Sequence, residues 1–192
     1  MTSRWQRWLW HLSACLSLAA AAWFAPKTIF LISLGAVTFL FLLFEFTRFK
    51  ITSINRWFFS CFGSLLRPAE VSSVTTSSYV LVAALIAYLA FGKDIAVLSV
   101  CFLAVGDVAA AIIGSHCGKI RLFGKVLEGD LSCFIACLVT GFILFYAGLN
   151  ISAITILVGA IAATIGQAIK TPMDDNLIMP LFAGMAMAVA PG

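Results

Sequence analysis

Charge is what this sequence has least of. Only 10% of its 192 residues are Asp, Glu, Lys or Arg, where a soluble domain carries about 25%. No polar stretch is long enough to fold by itself, so a single domain over residues 1–192 is expected. The six cysteines (Cys15, Cys61, Cys101, Cys117, Cys133 and Cys137) show neither CxxC nor Cys/His spacing. That argues against a zinc site or a disulfide framework, and the cysteines read as small buried apolar residues. Internal repeats and low-complexity segments are missing. The formal charge of +4 is small and dispersed in apolar sequence, which excludes nucleic acid as a partner. There are two histidines. His11, inside an apolar run, reads as structural, and His116, in a basic loop, as a candidate phosphate contact.

What is present is hydrocarbon: 62% of residues are hydrophobic and the mean hydropathy is +1.09. An all-α polytopic membrane protein is expected. Spans need about 20 mostly apolar residues, and seven runs qualify: Trp8–Ala25, Thr28–Phe46, Ser72–Phe91, Ile95–Gly114, Leu131–Gly148, Ile151–Ile169 and Leu177–Ala190. Arg4 and Arg7 before the first run also suit a signal peptide, but another spanning run follows almost at once. Pro26, Gly92-Lys93-Asp94 and Gly148-Leu149-Asn150 supply short turns on one side. Between the second and third spans, Ile51, Ile54, Phe58, Phe62 and Leu65 recur at helical spacing, so an interfacial amphipathic helix is expected over about 49–67. It would border a lipid entrance.

The charges divide unevenly. With the N-terminus inside, Arg4, Arg7, Arg48, Lys50, Arg56, Arg67, Lys119, Arg121, Lys125 and Lys170 fall on the cytoplasmic side, and Lys27 and Lys93 outside. A positive-inside bias accounts for that split. The acids gather on the same face, Asp94 alone excepted, which the bias does not require. Mixed charge at one face suggests a site for a phosphate anion and its metal cation. The expectation is an integral protein of a bacterial inner membrane, with its N-terminus and site cytoplasmic.

The stretch Gly106–Asp130 concentrates the polar chemistry. Asp107 stands seven residues before Gly114, where the fourth span is expected to end, and a charged Asp in hydrocarbon costs about 2.5–3.5 kcal/mol. It should therefore face a polar cavity, a cation or a basic partner. Gly106, Ala110, Gly114 and Gly118 form a small stripe that permits close helix packing. The following loop, 115–130, sets Gly118, Gly124 and Gly129 among Lys119, Arg121 and Lys125. Glycine backbone and lysine charge both suit a phosphate, although the Walker spacing is missing. Glu45 and Arg48 share a helical face as an interfacial pair, and Glu70 suits the first turn of the third span. Near the end, Asp174 or Asp175 caps the last helix. Asp175 and Asn176 offer oxygens on the same face as Asp107 and Glu128, the donor type that Mg²⁺ prefers.

GDVAAAIIG (106–114), then Gly118-Lys119, then Lys125-Val-Leu-Glu128-Gly129 resemble the shared signature of CTP-using membrane enzymes, which comprise phosphatidate cytidylyltransferases and the dolichol, phytol and CTP-dependent diacylglycerol kinases. Glu45-x-x-Arg48, Arg67-x-x-Glu70 and Asp175-Asn176-x-x-x-Pro180 look like the kinase branch, and the His-Gly-Gly run and Asp-Arg pair that end the cytidylyltransferases are absent. The resemblance implies transfer of the γ-phosphoryl group of CTP to a membrane lipid alcohol: a polyprenol or dolichol, phytol or diacylglycerol. It implies a divalent cation such as Mg²⁺ on Asp107, Asp175, Asn176 and Glu128. The nucleotide would lie on Gly106, Gly114, Gly118, Lys119, Lys125, Gly129 and Arg48. Asp107, Lys125 and Glu128 would serve the chemistry, with Glu70 or Glu45 orienting or deprotonating the acceptor hydroxyl. Val126 stands where the family has Ser or Thr, Gln167 where it often has Glu, and Asp130 where it has a small residue. The alternatives are a phosphatidate cytidylyltransferase making CDP-diacylglycerol and a non-catalytic transport or assembly protein.

Overall fold

The computed structural model describes residues 4–122, 125–169 and 171–191, and for Arg121 and Leu122 the backbone alone. Of the residues weighed above, Gly124 and Lys170 lie outside it. The chain is all-α. In order come α1 (Arg4–Phe24), α2 (Lys27–Lys50), α3 (Thr52–Phe62), a 3-10 turn (Pro68–Val71), α4 (Thr76–Phe91), α5 (Lys93–Cys117), α6 (Leu127–Tyr146), α7 (Ala153–Ala168) and α8 (Asp175–Ala188). Between α5 and α6, β1 (Arg121–Leu122) pairs antiparallel with β2 (Lys125–Val126), Arg121 opposite Val126.

The axis of the fold is α5. It packs against α1, α4, α6, α7 and α8, and 67% of its most apolar stretch is buried, against 22% in α2 and in α6. A helix apolar all round is expected at the centre of a bundle. Gly92 and Gly148 turn the chain into α5 and towards α7 with φ of +83° and +102°, conformations that glycine adopts without a Cβ penalty. Ser152 caps α7 by accepting from the Thr155 N–H at 3.1 Å. Asp174 caps α8 by accepting from the Asn176 N–H at 3.0 Å, which settles the cap between the two acids and frees Asp175.

Seven spans were expected, and among the described residues three helices are long and apolar enough to cross a membrane: α2, α5 and α6. The outer face of α2 exposes Ile32, Phe39, Leu40, Leu43 and Phe46, a continuous patch of the kind that soluble monomers rarely present. These features are compatible with a membrane protein. The apolar helices α4, α7 and α8 have 16, 16 and 14 residues, or roughly 21–24 Å of rise. The third expected span loses its first turn because Ser72–Thr75, which follow a 3-10 turn over Pro68–Val71, are not α-helical. The interfacial helix is likewise shorter than expected, ending at Phe62. The fourth expected span is longer, running through Gly114 to Cys117. Asp107 thus lies ten residues from the helix end rather than seven. The expected loop 115–130 shrinks accordingly, with Glu128, Gly129 and Asp130 in the first turn of α6, where acids meet the positive end of the helix dipole.

Candidate functional site

Two cavities lie on either side of one wall of α5. The larger, about 480 Å³, is bounded by α1, α2, the segment before α4, α4 itself and α5. Its polar lining includes Arg7, His11, Arg67, Glu70 and Asp107, and its apolar lining includes Trp8, Leu18, Val37, Phe41 and Val80. The smaller, about 290 Å³, is a groove between α5, β2, α6 and α7, lined by Gly114, Lys125, Gly129, Asp130 and Gln167 among others. Ala111 lines both.

Asp107, in the lining of the larger, is linked to the smaller through Gln167. Its Oδ1 accepts from Gln167 Nε2 at 3.4 Å, and its Oδ2 stands 3.9 Å from His11 Nε2. Both contacts are long for a carboxylate this enclosed, so its capacity to accept is largely unused. Lys125 Nζ, on the other side of Gln167, donates to Asp175 Oδ2 at 2.7 Å and to the Gln167 backbone carbonyl. A polar chain therefore runs from His11 through Asp107, Gln167 and Lys125 to Asp175. Two buried amide oxygens beside it, Gln167 Oε1 and Asn176 Oδ1, have no partner among the described residues.

The groove is narrow because its glycines are close-packed. A Cβ on Gly129 would stand 3.0 Å from the Ala110 carbonyl oxygen, and one on Gly106 would stand 2.7 Å from Met179 Cε and 2.9 Å from Cys133 Sγ. The small stripe on α5 thus seats α6 and α8, and Gly114 serves that approach rather than ending the helix. The N–H groups of Lys119 and Ile120 both donate to Glu128 Oε1, at 3.1 and 3.2 Å, which folds the loop back on the start of α6. Lys119 and Gly118 are exposed at its rim. His116 is exposed, its Nδ1 2.8 Å from the Ile112 carbonyl oxygen.

Among the described residues, no three His, Cys, Asp or Glu side chains converge to hold a metal ion. Of the set Asp107, Asp175, Asn176 and Glu128, Glu128 accepts from the N–H groups of its own loop and Asp175 from Lys125. The acceptors left over, the Asp107 carboxylate and the amide oxygens of Gln167 and Asn176, are hard oxygen donors of the kind a cation that keeps waters and takes phosphate oxygens can use.

A second polar cluster ties α2 to the start of α4. Arg48 is fully buried. Its Nε donates to Glu45 Oε2 at 2.8 Å, and its Nη groups to Asn55 Oδ1, the Glu70 carbonyl and the Ser73 carbonyl at 3.0, 3.0 and 2.6 Å. Glu45 Oε1 accepts from the Thr75 N–H at 3.0 Å and from the Thr75 and Ser78 hydroxyls at 2.6 and 3.1 Å. Glu70 accepts from the Thr76 hydroxyl at 2.6 Å and the Arg67 N–H at 3.1 Å. The structure thus places Arg48 and Glu45 in the link between α2 and α4, and does not bring them to Asp107 or Lys125. Glu70 alone of the three borders the larger cavity.

Three residues of the cavity lining have no functional role in the sequence reading. His11 was read as structural, yet it faces Asp107 across the cavity; an ionisable residue inside a spanning run was the signal. Arg7 and Arg67 were weighed for orientation or as a short motif, and both line the same cavity, Arg67 reaching Asp174 Oδ2 at 3.3 Å. Val126, Asp130 and Gln167, the three departures from the resembled pattern, all line the groove.

No family model matches the chain, and no solved structure matches it. The chain is 23% identical over 192 residues to the uncharacterized protein RP860 of Rickettsia prowazekii (strain Madrid E), spanning 97% of this chain and 94% of that one. That protein's name assigns it no activity.

Proposed function

We propose that this chain is an integral membrane lipid kinase that transfers the γ-phosphoryl group of CTP to the hydroxyl of a membrane lipid alcohol. The observation that carries the reading is the hydrogen bond from Gln167 to Asp107, which links two unlike cavities that share the wall at Ala111: a large, mainly apolar one suited to a lipid, lined by Asp107, and a small glycine-walled one lined by Gln167 and Lys125. Phosphoryl transfer asks for charge stabilisation and in-line positioning rather than covalent catalysis. Lys125, released from Asp175, holds the phosphates in the groove, and Lys119 reaches them from the rim. The under-satisfied carboxylate of Asp107 orients the acceptor side. Asp107 and the amide oxygens of Gln167 and Asn176 would hold a Mg²⁺ ion, which when bound would neutralise charge on the phosphates. Asp130 and Gln167 line the groove with Lys125, so a carboxylate besides that of Asp175 stands in the phosphate site.

The finer architecture belongs to the same proposal. Arg67, before α4, meets Asp174, before α8, and Lys125, before α6, meets Asp175; this supports α4, α6 and α8 starting from one face. All seven long helices then cross in alternation, with the site and N-terminus cytoplasmic and α3 lying in the interface. The backbone of Thr75 and Thr76 is bonded by Glu45 and Glu70, so the non-helical start of the third span meets no lipid unsatisfied. The similar chain comes from a bacterium, in keeping with an inner-membrane location.

The test is label transfer by purified protein in lipid with Mg²⁺, with CTP labelled at the γ or the α phosphate and mixed lipid alcohols and phosphatidate as acceptors. Label from the γ position in a lipid product is expected. Label from the α position assigns a cytidylyltransferase instead, and no label in any lipid favours the transport or assembly reading.

A further inference from the structure

The larger cavity opens where α1 and α2 diverge. The two helices are joined by a short turn after Phe24, but α1 packs mainly on α5 and α2 mainly on α4, and they touch each other little. Away from that turn the gap is lined by Trp8, Trp10, Ala14, Leu18, Val37 and Phe41. Trp10, Val37 and Phe41 are also among the large apolar side chains exposed on the outer surface. The cleft is therefore an apolar slot that runs from the hydrocarbon-facing surface inward to Asp107. Its ionisable lining carries two positive charges, Arg7 and Arg67, and two negative ones, Glu70 and Asp107, with His11 between them. With the histidine neutral, the formal charges of the lining cancel, and Arg67 is already paired with Asp174 at 3.3 Å, so no positive charge is left in surplus. A cavity of low polarity with no net charge compensates no charged headgroup, and burying an uncompensated charge is costly.

We propose that uncharged lipid alcohols enter this cleft laterally between α1 and α2, hydroxyl leading towards Asp107, and that anionic lipids are discriminated against there. The ligand class rests on the kinase reading above; the portal itself does not. The same charge balance disfavours retention of the phosphorylated product, which carries negative charge into a cavity with no surplus base to hold it.

The experiment reads binding without turnover. A long-chain alcohol bearing a diazirine in its tail is photolysed with the purified protein in vesicles lacking nucleotide, and the labelled peptides are mapped. Label is expected in α1 and α2 along the cleft, competed by an unlabelled neutral alcohol and not by phosphatidate. Ala14→Trp, an exposed position lining the slot, should reduce that label about tenfold or more, the scale of an overpacking penalty. Ala20→Trp, exposed on the same helix outside the cavity, should leave it unchanged. Label confined to other helices, or retained in Ala14→Trp, overturns the portal; equal competition by phosphatidate overturns the neutral-lipid assignment. If CTP gives no γ transfer while the cleft labels as described, the kinase reading fails and the portal stands.

Discussion

Two acidic residues of this bundle are held in opposite ways. Glu45 is surrounded by donors at 2.6–3.1 Å, whereas the partners of Asp107 stand at 3.4 and 3.9 Å. A carboxylate bonded on all sides is part of the fold, and one left under-satisfied in an enclosed site is costly unless a ligand completes it. Asp107→Asn should therefore lower transfer on the order of 10²–10³-fold, the value of one charge-stabilising group, with the thermal midpoint in detergent unchanged. Arg48→Met should do the reverse. Removing the arginine strands Glu45 and two backbone carbonyls, at a cost of about 3–5 kcal/mol, while the molecules that remain folded turn over normally. Wild-type turnover in Asp107→Asn would remove Asp107 from the chemistry.

The α5–α6 contact is the element that sets the width of the groove. Gly129 leaves a Cβ only 3.0 Å from the Ala110 carbonyl oxygen, and a carbonyl inside a helix has little room to retreat. Gly129→Ala should destabilise by about 1–3 kcal/mol, read as a lower midpoint of thermal unfolding. Gly35→Ala, on α2 with nothing within 4 Å of the added carbon, should be neutral or stabilising, since Ala is the better helix former by about 1 kcal/mol. An equal loss in both variants would show that the α5–α6 approach is not special. The small stripe on α5 was legible in the sequence because its four-residue spacing is local. The end of α5 was not, because a glycine that stops a helix and one that admits a neighbour look alike until the neighbour is known. The same limit hid the start of α4: Ser72–Thr75 belong to an apolar run by composition, but their conformation answers to Glu45 and Arg48, some 25–30 residues earlier. Asp107 was found by its cost in hydrocarbon, while His11, 96 positions before it, became meaningful only when α1 packed on α5.

For the molecule as a whole, two native cysteines report how many helices cross the bilayer. Cys61 near the end of α3 and Cys117 at the end of α5 are exposed, whereas Cys15, Cys101, Cys133 and Cys137 are buried. If α2, α5 and α6 alone cross, the segment between α2 and α5 lies on one side and the α5–α6 connection on the other, so the two cysteines face opposite compartments. If α4 also crosses, as in the seven-span arrangement, α4 and α5 form an out-and-back pair and both cysteines return to the same side. The contacts of Arg67 with Asp174 and of Lys125 with Asp175 favour the second arrangement, because segments on opposite sides of about 30 Å of hydrocarbon have no means of pairing. A membrane-impermeant maleimide should therefore label Cys61 and Cys117 together in inside-out vesicles and neither in intact spheroplasts. A cysteine introduced as Lys93→Cys, in the α4–α5 turn, should show the opposite pattern. Reciprocal labelling of Cys61 and Cys117 would reduce the bundle to three spans and divide the polar chain from His11 to Asp175 between two compartments, which the proposed transfer reaction could not survive.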